Sequence, residues 1–591
     1  MTAKNKSSKK ESSLFQNPKI ILAAILFLTV IVFSNSIKND FIFNWDDDVY
    51  VMNNLLIKDL SLQGIKNIFT TPYEGHYAPL TTLSWAIEHK FFGMSAKHFH
   101  ITNLLLHLSN IVLVFYFVLK LSSFSNSNLQ GFKNLEGLFP ATIVATLFAI
   151  HPMHAESVDW ITERKDLLYS SFYLFAILFW IKCSNQKNKL SILNYQLSIL
   201  FFLLSLLSKP MAVTLPVVLI LIDYYKNNVQ HSTFNIQHLI KYIPFFLLSI
   251  IFGLLEISVA NSAKAINIEN TFNYFDSIFL ASYAIVFYLI KLIIPVNLCA
   301  FYSFPEKTNN LLPMEYYFAP IVLLLLVFGI YKLKKIPLTP FVKGEFKKEI
   351  IFGFLFFLIT ISVVLQFLPV GGAIVAERYS YIPYIGLFFI FAQIFNPQIF
   401  KFENLRIPIL VGIILVFSIL TFNRNKVWKD AYTLFSDTIE NNKSYITYFN
   451  LGLAKEFIKK DYKGALSDYE MSTKLKPDYH IGYNNYGIVK GILQDYKTAI
   501  IYFDKTISIK PTYAEAYSNR ALAKTFLKDF DGAILDYNEL IRFNTNNAAA
   551  YSKRGNAFFN LNKINEACSD WRKAASLNDY SANEMILTYC K

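Results

Sequence analysis

Three consecutive carboxylates, Asp46, Asp47 and Asp48, follow the first long apolar segment of the chain. A carboxylate at the edge of a low-dielectric cavity can act as a general base, because partial desolvation raises its affinity for a proton. Successive side chains diverge, so the three carboxylates cannot share one role. We expect Asp46 and Asp47 to be the candidate bases. A solvated acidic turn before a helix is the alternative interpretation.

A second group of charges has the composition of a phosphate-binding site. Glu163, Arg164, Lys165 and Asp166 are consecutive, Lys209 is isolated among apolar residues, and Arg378 lies in a further polar segment. Clustered cations beside carboxylates suit a phosphate leaving group, whose developing charge they neutralise. Ordinary salt bridges between loops are the alternative for each residue. The candidate phosphate-binding residues are Arg164, Lys209 and Arg378, with Asp166 as a second acid.

Other polar side chains occur in the same segments and are candidates for the wall of a site. Glu88 and nearby histidines could bind a metal, but no spacing matches HExxH, and a histidine at a membrane interface is more often structural. We therefore predict no metal ligand and treat a divalent metal as the disfavoured alternative. The candidate wall residues are Tyr77, Glu88, His100, His154, Glu156 and Glu377.

Several functional classes are disfavoured by what the sequence lacks. It contains no Gly-rich phosphate loop, no GxSxG and no DxD followed by a soluble α/β pattern, which argues against nucleotide-sugar enzymes and ATP-driven pumps. The net charge of +14 comes from short basic tracts between apolar runs, typical of cytoplasmic loops rather than a nucleic-acid surface. The four cysteines form no CxxC pair. Cys568 and Cys590 could form a disulfide if the C-terminal domain is extracytoplasmic, but we expect two free thiols.

The elements that position these residues are membrane helices. Of the 591 residues, 54% are hydrophobic and only 17% are charged, and apolar runs long enough to span a bilayer recur until about Phe422. They predict a polytopic helical membrane domain with about eleven or twelve spans. Because no A-x-A cleavage site follows the first run, we expect an uncleaved helix preceded by a cytoplasmic tail, residues 1–18. The long loop 36–98 then lies on the outer face.

The C-terminal quarter carries a different signal, a self-similarity with a period of 34 residues that is typical of TPR helix-turn-helix repeats. A half-repeat at 426–441 would cap the array, and about four repeats would follow within residues 424–591. The groove of this α-solenoid would be lined by Asn484, Ser518 and Ser552. The repeating positions are Ala465, Ala499, Ala533 and Ala567, and Tyr469, Phe503, Tyr537 and Trp571.

Taken together, these residues resemble the TMTC family, the transmembrane and TPR-containing O-mannosyltransferases, within the GT-C class of glycosyltransferases. The resemblance covers nearly the whole chain. The segments that carry it are Asp46-Asp47, Tyr77 to Leu80, His100 to His107, Leu147 to Glu156, Arg164 with Asp166-Leu167-Leu168, Leu207 to Pro210, and Val375 to Arg378.

The resemblance implies an all-α protein with a GT-C-like membrane domain at 19–423. Such a domain takes a sugar, mannose or similar, from a polyprenyl-phosphate carrier and transfers it with inversion to Ser or Thr of an extracytoplasmic protein. Asp46 or Asp47 would be the base, and Lys209 with Arg164 or Arg378 would hold the lipid phosphate. The protein would lie in the inner or plasma membrane of a bacterium or the endoplasmic reticulum of a eukaryote, with its TPR domain extracytoplasmic and contacting the acceptor.

Two other functions remain as alternatives. A membrane-anchored TPR scaffold would need no catalysis, but a single span would suffice to anchor it. A lipid-linked sugar transporter would be expected to show internal repeats within its membrane part, and the sequence shows none. Normal partner binding by residues 426–591 alone, with no effect of changes in the Asp46 loop, would support the scaffold. Sugar transfer in detergent, without a membrane gradient, separates an enzyme from a transporter.

Overall fold

The computed structural model describes residues 17–125, 135–184, 189–229, 236–262, 272–333, 345–367, 372–396 and 403–590. Residues 1–16 of the predicted cytoplasmic tail lie outside the described residues, and so does most of residues 332–348, one of the basic tracts between apolar runs. The chain divides into two compact units, Met1–Leu434 and Phe435–Lys591. This boundary lies inside a helix, Ala431–Asn441, whereas the sequence places it at residues 423 and 424. The exact limit of the membrane domain therefore stays a prediction.

The first unit is helical apart from one small antiparallel pair of strands, β1 (Tyr302–Ser303) and β2 (Ala373–Val375). Its α-helices are α1 (Pro18–Val32), α2 (Leu62–Thr70), α3 (Pro79–Phe92), α4 (Ala96–Ser122), α5 (Leu135–Ile150), α6 (Ala155–Asp159), α7 (Arg164–Ser184), α8 (Lys189–Ser208), α9 (Leu215–Val229), α10 (Ile243–Ser262), α11 (Tyr274–Ile293), α12 (Met314–Leu333), α13 (Glu345–Ile361), α14 (Tyr384–Ile394) and α15 (Glu403–Val427), and α16 (Ala431–Asn441) contains the boundary between the units.

Seven helices among the described residues are long and apolar enough to cross a membrane, or eight if a pair bent by 57° counts as one span. The chain is therefore a multi-pass membrane protein. The bent pair is Gly137–Ile150 with Pro152–Asp159. The seven are Pro18–Lys38, Ala96–Ser122, Ile161–Cys183, Lys189–Ser208, Leu239–Ser262, Tyr274–Ile293 and Asn404–Val427.

This number is smaller than the eleven or twelve spans that the apolar runs predict. Helices α9, α13 and α14 have 15, 17 and 11 residues, which at about 1.5 Å per residue is too short for a hydrocarbon core of about 30 Å. Most side chains of α14 are buried, including Tyr384, Ile385, Phe388 and Phe389. An apolar run of this length is thus a core helix of the bundle, a case that hydropathy alone does not separate from a span.

The second unit is the predicted TPR solenoid. The second helices of successive pairs begin at Tyr462, Tyr496, Phe530 and Ile564, so the 34-residue period of the sequence is also the period of the helices. A Cβ added to Gly487 would lie 2.6 Å from the Phe503 ring, which explains a small residue at this crossing. The helices are α17 (Tyr445–Ala454), α18 (Tyr462–Leu475), α19 (His480–Ile492), α20 (Tyr496–Ile509), α21 (Ala514–Phe526), α22 (Phe530–Phe543), α23 (Ala548–Asn560), α24 (Ile564–Ser576) and α25 (Ser581–Tyr589).

A disulfide joins the last two helices of this unit. Cys568 of α24 and Cys590, just after α25, are bonded, with their Cα atoms 5.5 Å apart. The expectation of two free thiols is therefore wrong. Spacing in the sequence could not reveal the pair, because it forms only when α25 folds back against α24. Cys183 and Cys299 are free thiols.

We expect Cys568→Ser to lower the free energy of unfolding of the repeat unit by about 3 kcal/mol, because the bond closes a loop of roughly twenty residues. Proteolysis of the full-length protein in increasing urea, without reductant, measures this change. Cys183→Ser, which removes a free thiol, is the matched control and should behave as the parent. Identical unfolding of Cys568→Ser and the parent would contradict a bond in the native protein.

Candidate active site

Residues 36–98 form a small subdomain with its own apolar core, which holds the acidic stretch in place. Helical turns at Asp48–Met52 and Leu55–Lys58 lead into α2, whose first turn is capped by the Ser61 hydroxyl. Two residues of this core, Phe99 and Ile161, belong to candidate membrane spans, so the core attaches the loop to the bundle. The core consists of Phe41, Val51, Ile57, Ile68, Trp85, Ala86, Phe99 and Ile161.

Asp47 anchors this subdomain to the start of α7. One carboxylate oxygen accepts the Ile42 N–H at 2.9 Å, and the other accepts the Thr162 N–H at 2.9 Å and its hydroxyl at 2.5 Å. Burial raises the pKa of Asp47 to about 6, because desolvation outweighs these hydrogen bonds. Asp47 is fully buried and its oxygens are occupied, so it is a structural anchor rather than an accessible base.

Asp46 has the surroundings of a base. Its side chain is half-buried, and it accepts no hydrogen bond from any residue that the structure describes. Burial raises the pKa of the Asp46 carboxyl, and the nearby Lys165 ammonium only partly opposes this shift. Asp48 differs, because its carboxylate accepts the Asn53 amide N–H at 2.8 Å. The geometry thus favours Asp46 among the three carboxylates.

Three cations converge on the buried carboxylate of Glu163. Its oxygens lie 3.2 Å from the Lys165 ammonium, 3.4 Å from the Lys209 ammonium and 3.3 Å from Nε of Arg378. Lys209 also contacts Asp166 at 2.5 Å. Burial alone would lower the pKa of Lys209, but the carboxylates of Asp166 and Glu163 raise it above its usual value. We call Lys165, Lys209 and Arg378 with Glu163 and Asp166 the cation cluster.

Arg378 is held by a second acid and by aromatic rings. Its guanidinium pairs with the buried Glu156, and its backbone N–H donates to the other Glu156 oxygen at 2.9 Å. The guanidinium carbon lies 5.2 Å from the ring centroid of Trp160 and 5.0 Å from that of Tyr379. Cation–π contacts of this kind orient the guanidinium plane without removing its charge. Trp160 in turn packs edge-on against Trp45, next to Asp46.

Arg164 lies away from the cation cluster. Its guanidinium contacts Glu88 at 2.5 Å and donates to the Asn103 side chain and to the Phe99 carbonyl, both at 2.9 Å. Thr102 donates to the same Glu88 carboxylate. All three guanidinium nitrogens therefore have protein partners inside the bundle. The structure brings Arg164 and Glu88 to each other, but not to Lys209 and Arg378.

Lys165 and Glu163 are the two cluster residues that the sequence did not single out as site candidates. The segment Glu163 to Asp166 showed two adjacent cations, but neighbours on a helix point about 100° apart, and one sequence does not show which of them faces the site. The Lys165 ammonium lies 5.7 Å from the centroid of the Tyr50 ring and acts electrostatically on Asp46. It takes the place that the sequence assigned to Arg164.

The remaining candidate residues lie at the edges of this region or in the bundle. Glu377 pairs with Arg424 at 2.9 Å and accepts the Tyr302 hydroxyl at 3.2 Å, and burial raises its pKa to about 8. His154 is buried, with Nδ1 2.8 Å from the Phe148 carbonyl. Tyr77 donates its hydroxyl to the Phe69 carbonyl at 2.9 Å. His100 is buried beside Arg164.

Within the part of the chain that the structure describes, no three His, Cys, Asp or Glu side chains are placed to share a metal ion.

The groove residues of the repeat unit differ from one another. Asn484 is buried, and its amide is bonded to Glu515 and Asn519 at 3.3 and 3.2 Å. Ser518 and Ser552 are half-buried.

Comparisons with known proteins give relatives along much of the chain, although no family model matches it. "Protein O-mannosyl-transferase F38B6.6" of Caenorhabditis elegans is 26% identical over 494 residues, which cover 78% of this chain and 63% of that protein. "Protein O-mannosyl-transferase TMTC3" of Homo sapiens is 23% identical over 70% of this chain and 46% of its own length. The chain thus spans less than two thirds of these relatives.

Solved structures match a smaller part of the chain. A crystal structure of MamA is 20% identical and covers 26% of this chain and 89% of its own, with a TM-score of 0.24. The sequence relatives extend much further, since each of the two above matches more than two thirds of this chain. In sequence, the chain therefore resembles the TMTC O-mannosyl-transferases over most of its length, which confirms the resemblance that its motifs indicate.

Proposed function

We propose that this chain is a membrane glycosyltransferase that moves a sugar from a polyprenyl-phosphate carrier to Ser or Thr of an extracytoplasmic protein. The relatives' names support sugar transfer to protein. One observation carries the proposal: Asp46 accepts no hydrogen bond among the described residues and lies beside the cation cluster, because its neighbour Trp45 packs on the Trp160 ring that Arg378 covers. A base beside cations is the arrangement that this reaction needs.

The proposed reaction is a single displacement. The Asp46 carboxylate takes the proton of the acceptor hydroxyl, and the hydroxyl oxygen forms a bond to the anomeric carbon. The bond between that carbon and the phosphate oxygen breaks, and the phosphate keeps the electron pair. Lys165, Lys209 and Arg378 neutralise the departing charge. Because attack and departure occur on opposite faces of the sugar, the configuration inverts.

We propose that the phosphate of the lipid-linked sugar first contacts the Lys165 ammonium. Lys209 and Arg378 each contact two carboxylates, Asp166 and Glu163 for one, Glu156 and Glu163 for the other. Among the carboxylates that the structure describes, Lys165 forms an ion pair only with Glu163, at 3.2 Å. A cation with fewer protein partners gives up less when it binds a ligand.

Two observations support the proposed orientation. Disulfides persist in oxidising compartments, so Cys568–Cys590 favours an extracytoplasmic repeat unit. The basic tracts favour the opposite side for the loops that contain them. We propose the inner or plasma membrane of a bacterium, or the endoplasmic reticulum of a eukaryote, with the repeat unit as the acceptor-binding part.

Purified full-length protein in detergent, incubated with labelled polyprenyl-phosphate sugars and Ser/Thr-containing acceptor proteins, tests the proposal. Label transferred to a hydroxyl side chain, released by β-elimination, is the expected result. Partner binding without transfer, under conditions where the protein is folded, would favour the TPR scaffold. Uptake of lipid-linked sugar into vesicles without transfer would favour the transporter.

Lys165→Ala should raise the KM for the lipid-linked sugar about 10- to 100-fold, because one charge-assisted hydrogen bond to phosphate is lost. Glu163 keeps Lys209 and Arg378 as partners, so the variant should unfold at the parental temperature. The matched control is Lys226→Ala, a partly exposed lysine in α9. An unchanged KM in Lys165→Ala would contradict the role of this ammonium.

A further inference from the structure

Large apolar side chains point outward from the subdomain of residues 36–98. Leu62 is 89% exposed, Phe91 75% and Leu55 73%. A soluble surface seldom presents several such side chains on neighbouring elements, and a set of them marks a contact with protein or membrane. We define the outward face by its apolar residues Leu55, Leu62, Ile87, Phe91 and Phe92.

The two helices of this subdomain are amphipathic in the sense required for such a face. On α2, Gly64 and Ile68 are buried, whereas Leu62 and Lys66, also four residues apart, are exposed. On α3, Trp85 and Ala86 are buried while Ile87 and Phe91, again four apart, are exposed. Each helix therefore buries one stripe in the subdomain core and turns a second, mixed stripe away from it.

The contacts of α3 and the loop before it place them at the level where three candidate membrane spans end. Near the start of α3, the Thr81 hydroxyl donates to the carbonyl of Ser208, the last residue of one span, at 3.0 Å. The helix ends at Phe92, shortly before the span that begins at Ala96. His76, before α3, lies 3.4 Å from Glu256, near the end of a third span. Helix α3 thus lies where the bilayer surface must be.

The charges around the outward face favour acidic lipid over water or neutral lipid. Four exposed lysines, Lys58, Lys66, Lys90 and Lys97, lie within or beside the elements that carry it. Two acids lie beside these elements. Glu88 is buried and paired with Arg164, and Asp59 is exposed, with its carboxylate bonded to Ser61. Lysine bends its apolar stem over hydrocarbon while its ammonium reaches headgroup phosphates.

We propose that the outward face lies in the headgroup region of the bilayer and binds acidic phospholipid. The apolar side chains enter the upper acyl region and the four lysines contact lipid phosphates, as in interfacial amphipathic helices. The spans before and after the subdomain already tie it to the membrane. The apolar side chains and the lysines of the outward face add two further kinds of contact. This contact with the membrane does not depend on the proposed sugar transfer.

Depth-dependent quenching in vesicles tests the proposal on the full-length protein. In a Cys183→Ser, Cys299→Ser background, Leu62→Cys and Phe91→Cys are each labelled with an environment-sensitive fluorophore. Ser508→Cys is the control, because Ser508 is exposed in the repeat unit, whose described residues include no candidate membrane span. The vesicles contain phosphatidylcholine spin-labelled near the headgroup, with or without phosphatidylglycerol.

Labels at positions 62 and 91 should be quenched at least about threefold more strongly than at position 508, since the face should lie about 5–10 Å into the interface. Phosphatidylglycerol should increase quenching at position 62, and Lys58→Gln with Lys66→Gln should abolish that increase. Equal quenching at position 508 and at either position of the outward face would overturn the membrane contact. An equal response to both lipids would overturn the role of acidic headgroups, and protection only by added protein would assign the face to a protein partner.

Discussion

Replacing Asp46 by asparagine is expected to lower sugar transfer about 10²- to 10⁴-fold, the usual contribution of a general base. The amide keeps the size of the carboxylate and cannot accept the proton. Since Asp46 accepts no hydrogen bond from the described residues, the protein should still insert and unfold at the parental temperature. Transfer assays on purified variants, with thermal unfolding measured on the same samples, give both quantities.

Its neighbours provide the controls. Asp47→Asn should lower the free energy of unfolding by about 1–3 kcal/mol, because an amide nitrogen replaces an oxygen that accepts a backbone or hydroxyl hydrogen. Asp48→Asn should leave transfer nearly unchanged. Full activity in Asp46→Asn would remove this residue from the mechanism.

The pH profile supplies a further readout of Asp46. The base acts only when it is deprotonated, so kcat/KM should fall as pH falls through its pKa. Because burial raises the pKa of Asp46, this decline should begin at a higher pH than for an ordinary aspartate. Asp46→Asn should lack this limb of the profile.

Removing the guanidinium of Arg378 should have the second large effect, on folding as well as on transfer. Arg378→Ala leaves the buried Glu156 without its ionic partner and deprives Glu163 of one of three cations. Breaking a buried ion pair by removing one member costs about 3–5 kcal/mol, because the remaining charge stays desolvated. We expect a lower thermal unfolding temperature in detergent and no detectable transfer.

A double variant separates the two effects. Glu156→Gln combined with Arg378→Ala removes the unpaired charge, so most of the lost stability should return. Transfer should remain absent, since the phosphate still lacks its guanidinium. Recovery of transfer in the double variant would show that Arg378 matters only for folding. A parental unfolding temperature in Arg378→Ala would contradict the buried pairing with Glu156.

The sequence was most informative where physical periodicity leaves a regular pattern. The 34-residue period predicted both the fold of the repeat unit and the phase of its helices. At two of the crossings a glycine faces an aromatic ring of its own helix pair, Gly487 against Phe503 and Gly555 against Trp571. Span number was less predictable, because hydropathy does not distinguish lipid from protein surroundings. Helix α14 is apolar because other helices surround it. Its hydropathy therefore resembles that of a membrane span, although its 11 residues are too few to cross the bilayer.

The sequence predicted which residue types occur in the site, but not the direction in which each side chain points. Arg164 and Lys165 are adjacent cations, and only the structure shows that Arg164 turns toward Glu88 while Lys165 turns toward Glu163. In the same way, Asp46 and Asp47 look equivalent in the sequence, but one accepts three hydrogen bonds and the other none among the described residues. The Cys568–Cys590 bond depends on how α25 packs, which no local pattern encodes.

The two hydrogen bonds between Asp47 and Thr162 join the loop that carries Asp46 to the start of α7. Asp46 directly precedes Asp47, and Glu163 directly follows Thr162. The hydrogen bonds between Asp47 and Thr162 therefore set the spacing between the proposed base and the cation cluster. That spacing cannot be widened without breaking these two hydrogen bonds. Phe301 packs against Trp45, the residue before Asp46, and carries no charge. If the proposed transfer is correct, we expect changes in sugar preference to arise at Phe301 rather than among the charged residues.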